Sequence, residues 1–186
     1  MSRFHLIFTL LFSIVVLSTS CDKEEPMIPN EEELITNVTY TLTPDNGGDT
    51  VTMTFEDLDG DGGNDPVITG GTLDANQNYS GVLRLTNETE TPAENITDEI
   101  AEEDEEHQFF FSSSVAGLTI AYDDQDGDGN PLGLRSTVTV GDAGSGNITV
   151  ILRHEPNKSA DGVAGGDITN AGGETDIQVT FPVDVQ

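Results

Sequence analysis

Two short segments of the sequence place carboxylates on alternate residues and end in glycine. Both read D-x-D-x-D-G, and their members are Asp57, Asp59, Asp61 and Gly62 in the first and Asp124, Asp126, Asp128 and Gly129 in the second. Carboxylates at this spacing can converge on one point, and glycine permits the sharp turn that follows. Because three negative groups repel one another unless a hard divalent cation lies between them, we predict a calcium ion in each loop.

The flanking residues distinguish these loops from EF-hands. The bidentate glutamate at position 12 of an EF-hand loop would fall on Ile68 and Arg135. The first loop adds Asp65 at position 9, and D-x-D-x-D-G-x-x-D resembles the calcium hairpins of integrin-type propeller repeats; the second loop has Leu132 there. The resemblance implies calcium-loop chemistry only. The alternative interpretation is a solvated Asp-Gly turn in an acidic protein.

Two histidines stand at strand ends beside glutamates, in the pairs Glu106-His107 and His154-Glu155. The relevant predicted strands are 108–113, 118–123, 132–140 and 147–154. If they are successive and antiparallel, the first begins and the fourth finishes at the same end of the domain, where the second acidic loop also lies. Imidazole with carboxylate suits Zn²⁺, Cu²⁺ or iron better than calcium. The alternative is two rim histidines, each paired with a neighbouring glutamate.

Short alternating runs rich in Thr and Val predict strands over most of the chain. Besides the four above, they are 34–43, 50–56, 79–86 and 176–185, and 66–70 is a candidate for a further short strand. A single helix is predicted over 92–106, with Pro92 in its first turn and Ile96 and Ile100 on one face. We therefore predict an all-β fold, an antiparallel β-sandwich of seven or eight strands in Ig-like or jelly-roll style, with one short acidic helix. A small barrel is the alternative.

The predicted helix is unusually acidic. Residues 94–106 hold eight acids and no base. Like charges four residues apart weaken a helix by tenths of a kcal/mol each, and acids in the last turn oppose the helix dipole. We interpret the run as a solvated, partly frayed face.

The first 33 residues predict export and anchoring. Arg3 precedes the apolar run Leu6–Leu17, which is too short to span a bilayer as a helix, and Cys21 is the only cysteine of the chain. This arrangement resembles a bacterial lipoprotein signal, which implies cleavage before Cys21 and lipidation of that residue. The sequence C-D-K-E-E resembles the lysine-plus-acids export signal of Bacteroidota lipoproteins, which implies the outer membrane and the cell surface. We assign 1–20 to the signal peptide, 21–33 to the lipidated cysteine and acidic tether, and 34–186 to the sandwich.

Charge and composition exclude several classes of function. Six Lys and Arg stand against 35 Asp and Glu, for a net charge of -29. Such a surface repels nucleic acid and anionic lipid head groups and favours a soluble monomer, so the expected membrane contact is the lipid anchor alone. One cysteine rules out an internal disulfide framework. No G-x-S-x-G setting or free thiol nucleophile is present, and we expect a non-enzymatic protein.

The mature sequence as a whole resembles a group of uncharacterised Bacteroidota lipoproteins. The matching segments are EEELIT, DGDGGN, DEEHQ, LRHEPNK and GDITNAGGETDI. Some members carry a label for a type 1 periplasmic-binding domain. That label implies a larger α/β structure, with which the strand pattern disagrees.

These observations support one main hypothesis and two alternatives. The first is a calcium-stabilised β-sandwich that acts as a surface binding or adhesion module for an extracellular ligand. The second is a lipoprotein that captures Zn²⁺, Cu²⁺ or iron through His107 and His154, with Glu106 and Glu155, for a TonB-dependent transporter. The third is a purely structural surface protein.

Overall fold

A computed structural model describes residues 34–60 and 63–186, and these residues form two β-sheets that share one apolar interior. All strand pairs are antiparallel except β4 with β10. The predicted all-β sandwich with one short helix is confirmed. The predicted signal peptide and tether lie outside the described residues, as do Asp61 and Gly62 of the first acidic loop.

The first sheet has six strands in the order β3-β2-β1-β5-β8-β7, and the second has four in the order β4-β10-β9-β6. The strands of the first sheet are β1 Asn37–Pro44, β2 Val51–Glu56, β3 Val67–Thr69, β5 Asn78–Thr86, β7 Thr119–Tyr122 and β8 Arg135–Thr139. Those of the second are β4 Gly71–Leu73, β6 His107–Ser113, β9 Gly144–His154 and β10 Glu174–Val185.

Alternation of buried and exposed residues in the longer strands builds much of the interior. In β5 the buried positions include Leu83 and Leu85, and in β10 they are Val179, Phe181, Val183 and Val185. A side chain of this kind contributes about 1.5–3 kcal/mol when it is fully buried. The period of two in the sequence therefore assigns the residues of β5, and those of β10 from Val179 onward, to a face.

Two elements differ from the sequence-based expectation. The described residues contain ten strands: β3 lies within the short strand predicted at 66–70, whereas the three-residue β4 is too short to carry a clear alternation and was not predicted. The helix α1 covers Ile96–Glu102 and not 92–106. Its start is delayed because Glu94 forms a β-bridge with Asn87, and the acidic residues after it form turns that lead into β6. Ile96 and Ile100 are buried, as their spacing predicts.

Strand β6 is buried on both faces at its start. Its inner face joins the main interior through Phe109, whereas Phe110 packs on the outer side against Val163 and Ala171. The glycine-rich segment after β9, with 3-10 turns at Val163–Gly165 and Ile168–Asn170, thus forms a cover over the second sheet. The end of the sheet that carries both histidines is therefore enclosed.

No helix in 34–60 or 63–186 has the length and apolar character needed to cross a membrane.

Candidate metal centre

His107 and His154 are direct neighbours. His107 is the first residue of β6, His154 is the last of β9, and the register of the two strands pairs them. Their ring centroids lie 4.7 Å apart. The topological premise was wrong in one respect, because β7 and β8 belong to the other sheet. The two histidines nevertheless meet, since β6 and β9 are adjacent and antiparallel.

A β-bulge brings a third ligand to this pair. In β10, Thr175 pairs with Arg153 and Ile177 pairs with Leu152, so Asp176 is the extra residue between them. If the alternation of β10 continued unbroken from Val179 towards the start of the strand, the side chain of Asp176 would lie on the outer face. The bulge re-aims its side chain instead, as bulges near functional sites commonly do. One carboxylate oxygen, Oδ1, lies 3.8 Å from His154 Nδ1, and Oδ2 lies 4.0 Å from His107 Nε2.

The backbone sets the protonation pattern of His107. Its Nδ1 lies 3.1 Å from the carbonyl oxygen of Glu103. Because a carbonyl only accepts hydrogen bonds, Nδ1 is the protonated nitrogen, and in the neutral ring Nε2 carries the lone pair. Nε2 is buried and makes no hydrogen bond. This arrangement, with one ring nitrogen donating to a carbonyl and the other available, is the usual one for a metal-bound histidine.

Burial keeps His107 in the ligand-competent state. Its side chain has no solvent exposure. Burial lowers the pKa of His107 below its ordinary value, the hydrogen bond to Glu103 acts in the opposite direction, and the neighbouring His154 lowers it further. The neutral imidazole, which is the form that binds metals, is therefore favoured near neutral pH.

His154 faces two carboxylates through its two nitrogens. Nδ1 is the atom near Asp176, and Nε2 lies 3.9 Å from Glu106 Oε2. Glu155 joins Glu106 and His154 in a second group, whose candidate ligand atoms lie within 4.8 Å of one another. All four residues that sequence analysis proposed for a transition metal thus lie at one end of the second sheet.

The inner group has the composition and nearly the dimensions of a zinc site. The ligand atoms of His107, His154 and Asp176 all lie within 4.8 Å of one another. Zinc–nitrogen bonds of about 2.0–2.1 Å in a tetrahedron place the ligand atoms roughly 3.4 Å apart. Inward shifts of these side chains by about half an ångström would therefore bring all three ligand atoms to bonding distance of one ion. Three protein ligands would leave one position for water or a further ligand.

Lys158 fixes the segment that leads into His107. Its ammonium donates hydrogen bonds to the carbonyl of Asp104 and, at 2.8 Å, to the carboxylate of Asp126. Lys158 and Asp126 have side chains only 6% and 1% exposed. The ion pair therefore ties the second acidic loop to the turn that supplies the Glu103 carbonyl and Glu106.

The carboxylates of the second acidic loop are directed at donors within the protein. Asp124 accepts hydrogen bonds from the backbone N–H groups of Gly133 and Arg135, at 2.7 and 2.8 Å. Asp126 accepts from those of Asp128 and Asn130 as well as from Lys158. Among residues 34–60 and 63–186, Asp124, Asp126 and Asp128 do not form a group whose ligand atoms all lie within 4.8 Å.

The first acidic loop is more open. Asp57 accepts a hydrogen bond from the N–H of Gly60, and Asp59 accepts from the backbone and side-chain amides of Asn64. Asp59 and Asp65 are exposed, and Asp61 lies outside the described residues. The calcium ions expected in the two loops remain predictions.

Sequence reasoning missed two residues of this region. The sequence pattern predicts a regular strand that begins at Asp176, because the segment Thr-Asp-Ile carries only a weak signal for a bulge. Lys158 was not singled out because it lies 54 residues from Asp104 and 32 from Asp126. One hint was present: it is among only six basic residues in a very acidic chain, so its pairing with a carboxylate was to be expected.

No protein-family model, curated protein or solved structure matches this chain.

Proposed function

We propose that this chain is a non-enzymatic lipoprotein that captures a divalent transition-metal ion at His107, His154 and Asp176. The observation that carries the proposal is the convergence of these three side chains, from three strands, in an enclosed cluster with the His107 lone pair on Nε2. The two imidazoles favour Zn²⁺, Cu²⁺ or Fe²⁺ over calcium, which prefers oxygen ligands.

The location of the protein is part of the same proposal. Cys21 and the acidic residues after it support a lipid anchor in the outer membrane with the sandwich exposed at the cell surface. Anchoring through acyl chains keeps a metal-binding domain close to transporters in the same membrane. We propose a TonB-dependent receptor as the partner that takes up the captured metal. A purely structural surface protein is the competing alternative.

The test is native mass spectrometry and calorimetry of the purified protein with Zn²⁺, Cu²⁺ and Ca²⁺ in separate titrations. We expect one tightly bound Zn²⁺ or Cu²⁺ with micromolar or tighter affinity. Asp176→Asn and the double variant His107→Ala/His154→Ala should each weaken binding by at least about 100-fold, the upper end of what loss of an outer-shell partner costs.

Asp184→Asn is the matched control, because it makes the same change on an exposed residue of the same strand. It should bind the metal as the wild type does. The proposal is wrong if the wild type binds no stoichiometric transition metal, or if Asp184→Asn and Asp176→Asn lose the same amount of affinity. Thermal unfolding without metal checks that each variant is folded.

A second role, as a binding module, is favoured by a cleft of about 580 Å³ beside the first acidic loop. Its walls include Leu34, Phe55 and Ile177, and Asp57 and Asp176 also line it. The lining combines apolar side chains with carboxylate, hydroxyl and amide groups, so it can contact both the apolar and the polar parts of a small ligand. Calorimetry against a panel of neutral glycans and small organic cations, with Phe55→Ala as the variant, tests this role; unchanged binding in that variant would contradict it.

A further inference from the structure

His154 belongs to two groups of candidate metal ligands that differ sharply in exposure. The inner group contains His107, which is fully buried, and Asp176, whose side chain is 2% exposed. The outer group contains Glu106 and Glu155, which are both exposed, and Glu106 has a side chain 55% exposed. Within the described residues, His154 is the member common to both groups.

The two nitrogens of His154 face different groups. Nδ1 lies 3.8 Å from Asp176 in the inner group, and Nε2 lies 3.9 Å from Glu106 in the outer group. An ion held by Nε2 and the two glutamates is therefore one imidazole ring away from the inner ligands. Since the side chain of His154 is 9% exposed, it is also the most accessible member of the inner group.

The protein holds the outer glutamates beside each other. The backbone N–H of Glu155 donates a hydrogen bond to the carbonyl of Glu106 at 2.7 Å. Glu155 has a φ of +46°, an uncommon conformation for a residue other than glycine. Gly173 approaches so closely that a Cβ there would lie 2.1 Å from the carbonyl oxygen of His154. The positions of His154 and Glu155 are thus set by contacts on both sides.

We propose, building on the metal-capture function, that Glu106, Glu155 and His154 Nε2 form an entry site for the ion that ends in the inner group. Carboxylates bind a partly hydrated divalent cation readily, whereas the enclosed inner group requires the ion to lose its water. The negative charge of residues 102–106 raises the local cation concentration at this end. The ion then passes from His154 Nε2 to the inner ligands His107, Asp176 and His154 Nδ1, the nitrogen that already faces Asp176.

The cleft beside the first acidic loop is the competing route, because Asp176 is among its lining residues. Besides Asp176, its lining offers one carboxylate, Asp57, and no imidazole. Metal ions are desolvated stepwise by exchanging water for protein ligands, so a route with two carboxylates and an imidazole is favoured over one with a single further carboxylate.

Stopped-flow measurement of Zn²⁺ association with the purified protein tests the entry site. We expect Glu106→Gln/Glu155→Gln to slow association by about tenfold or more, the effect of removing a local electrostatic focus, while the stoichiometry of one tightly held ion is kept. The matched control is Glu102→Gln/Glu105→Gln, which removes the same charge from exposed residues of the same segment outside both ligand groups. It should slow association less than twofold at physiological salt, where screening is strong.

Each other outcome overturns the inference. Equal slowing in the two double variants would show that overall charge, and not a site, sets the rate. Loss of the tight ion in Glu106→Gln/Glu155→Gln would make the glutamates final ligands. Slowing by Gln178→Trp, which narrows the cleft, with unchanged rates in Glu106→Gln/Glu155→Gln would assign entry to the cleft. Absence of Zn²⁺ binding by the wild type would instead refute the proposed function itself.

Discussion

The two D-x-D-x-D-G loops share a sequence pattern but have different partners in the folded protein. In the second loop, Asp126 is buried and forms an ion pair with Lys158, while Asp124 accepts two backbone N–H groups. In the first loop, Asp59 is exposed and is hydrogen-bonded to Asn64 of its own loop. A lysine therefore supplies the positive charge at the second loop, whereas the first has no lysine or arginine in an ion pair among the residues described.

The comparison shows that the fold can give the same loop motif different partners. Repulsion among carboxylates is relieved by any nearby positive charge, and a buried lysine ammonium can do so without a bound metal ion. Through Lys158, the second loop thus holds the turn before His107 in place. The first loop retains exposed carboxylates, and we expect calcium binding to depend on it more strongly.

The largest expected effect comes from Lys158→Met. Removing one member of a buried ion pair leaves Asp126 charged and uncompensated, which should lower the free energy of unfolding by about 3–5 kcal/mol. Urea denaturation monitored by circular dichroism measures this. Arg84→Met, at an exposed position of β5, is the control and should change it by no more than about 0.5 kcal/mol. A similar small change in both variants would mean that the ion pair of Lys158 with Asp126 does not stabilise the folded protein.

A smaller effect is expected from calcium. At a calcium concentration 100 times its dissociation constant, the wild type should gain about 2.7 kcal/mol of stability, because only the folded protein presents the site. Differential scanning calorimetry with calcium and with chelator measures the shift. Asp59→Asn in the first loop should abolish the gain, while Asp128→Asn in the second should keep it. The reverse result would show that calcium binds the second loop in spite of Lys158.

The smallest effect concerns acid stability without calcium. Burial raises the pKa of Asp126, but the hydrogen bonds from Lys158 and Asn130 outweigh it, so the pKa lies below its ordinary value of 3.8. Below pH 3.8 the unfolded chain therefore takes up this proton before the folded one, and stability falls as the pH drops through the folded-state pKa.

In Asp126→Asn, the free energy of unfolding should fall less as the pH is lowered, because the carboxyl that titrates is gone. Urea titrations between about pH 5 and about pH 2, the range in which carboxylates titrate, measure this. The pKa of Asp59 is also lowered, first by the backbone N–H of Asn64 and then by its side chain. Because Asp59 is exposed, Asp59→Asn should change the acid transition less. An equal change in the two variants would contradict the difference between the loops.

Much of the fold could be predicted because it depends on local alternation. The residues of β5 and β10 show their buried face directly in the sequence, and Ile96 and Ile100 mark the inner side of α1. The helix ends could not be predicted, since the bridge between Asn87 and Glu94 is a tertiary contact.

The candidate metal centre was only partly predictable for a related reason. The pairing of His107 with His154 depends on which strands are neighbours, and their positions at opposite ends of antiparallel strands were readable in the sequence. The positions of Asp176 and Lys158 depend on a bulge and on a contact across 32 residues. Neither has a periodic signature.

The bulge in β10 makes the metal centre sensitive to chain length as well as to residue type. Deleting Thr175 alone would remove the extra residue, restore an unbroken ladder with β9, and place Asp176 opposite Arg153 on the outer surface. All the ligands would still be present, yet one would point away from the others. A gain or loss of a single codon in this strand is therefore enough to create or erase the centre while the sandwich around it persists.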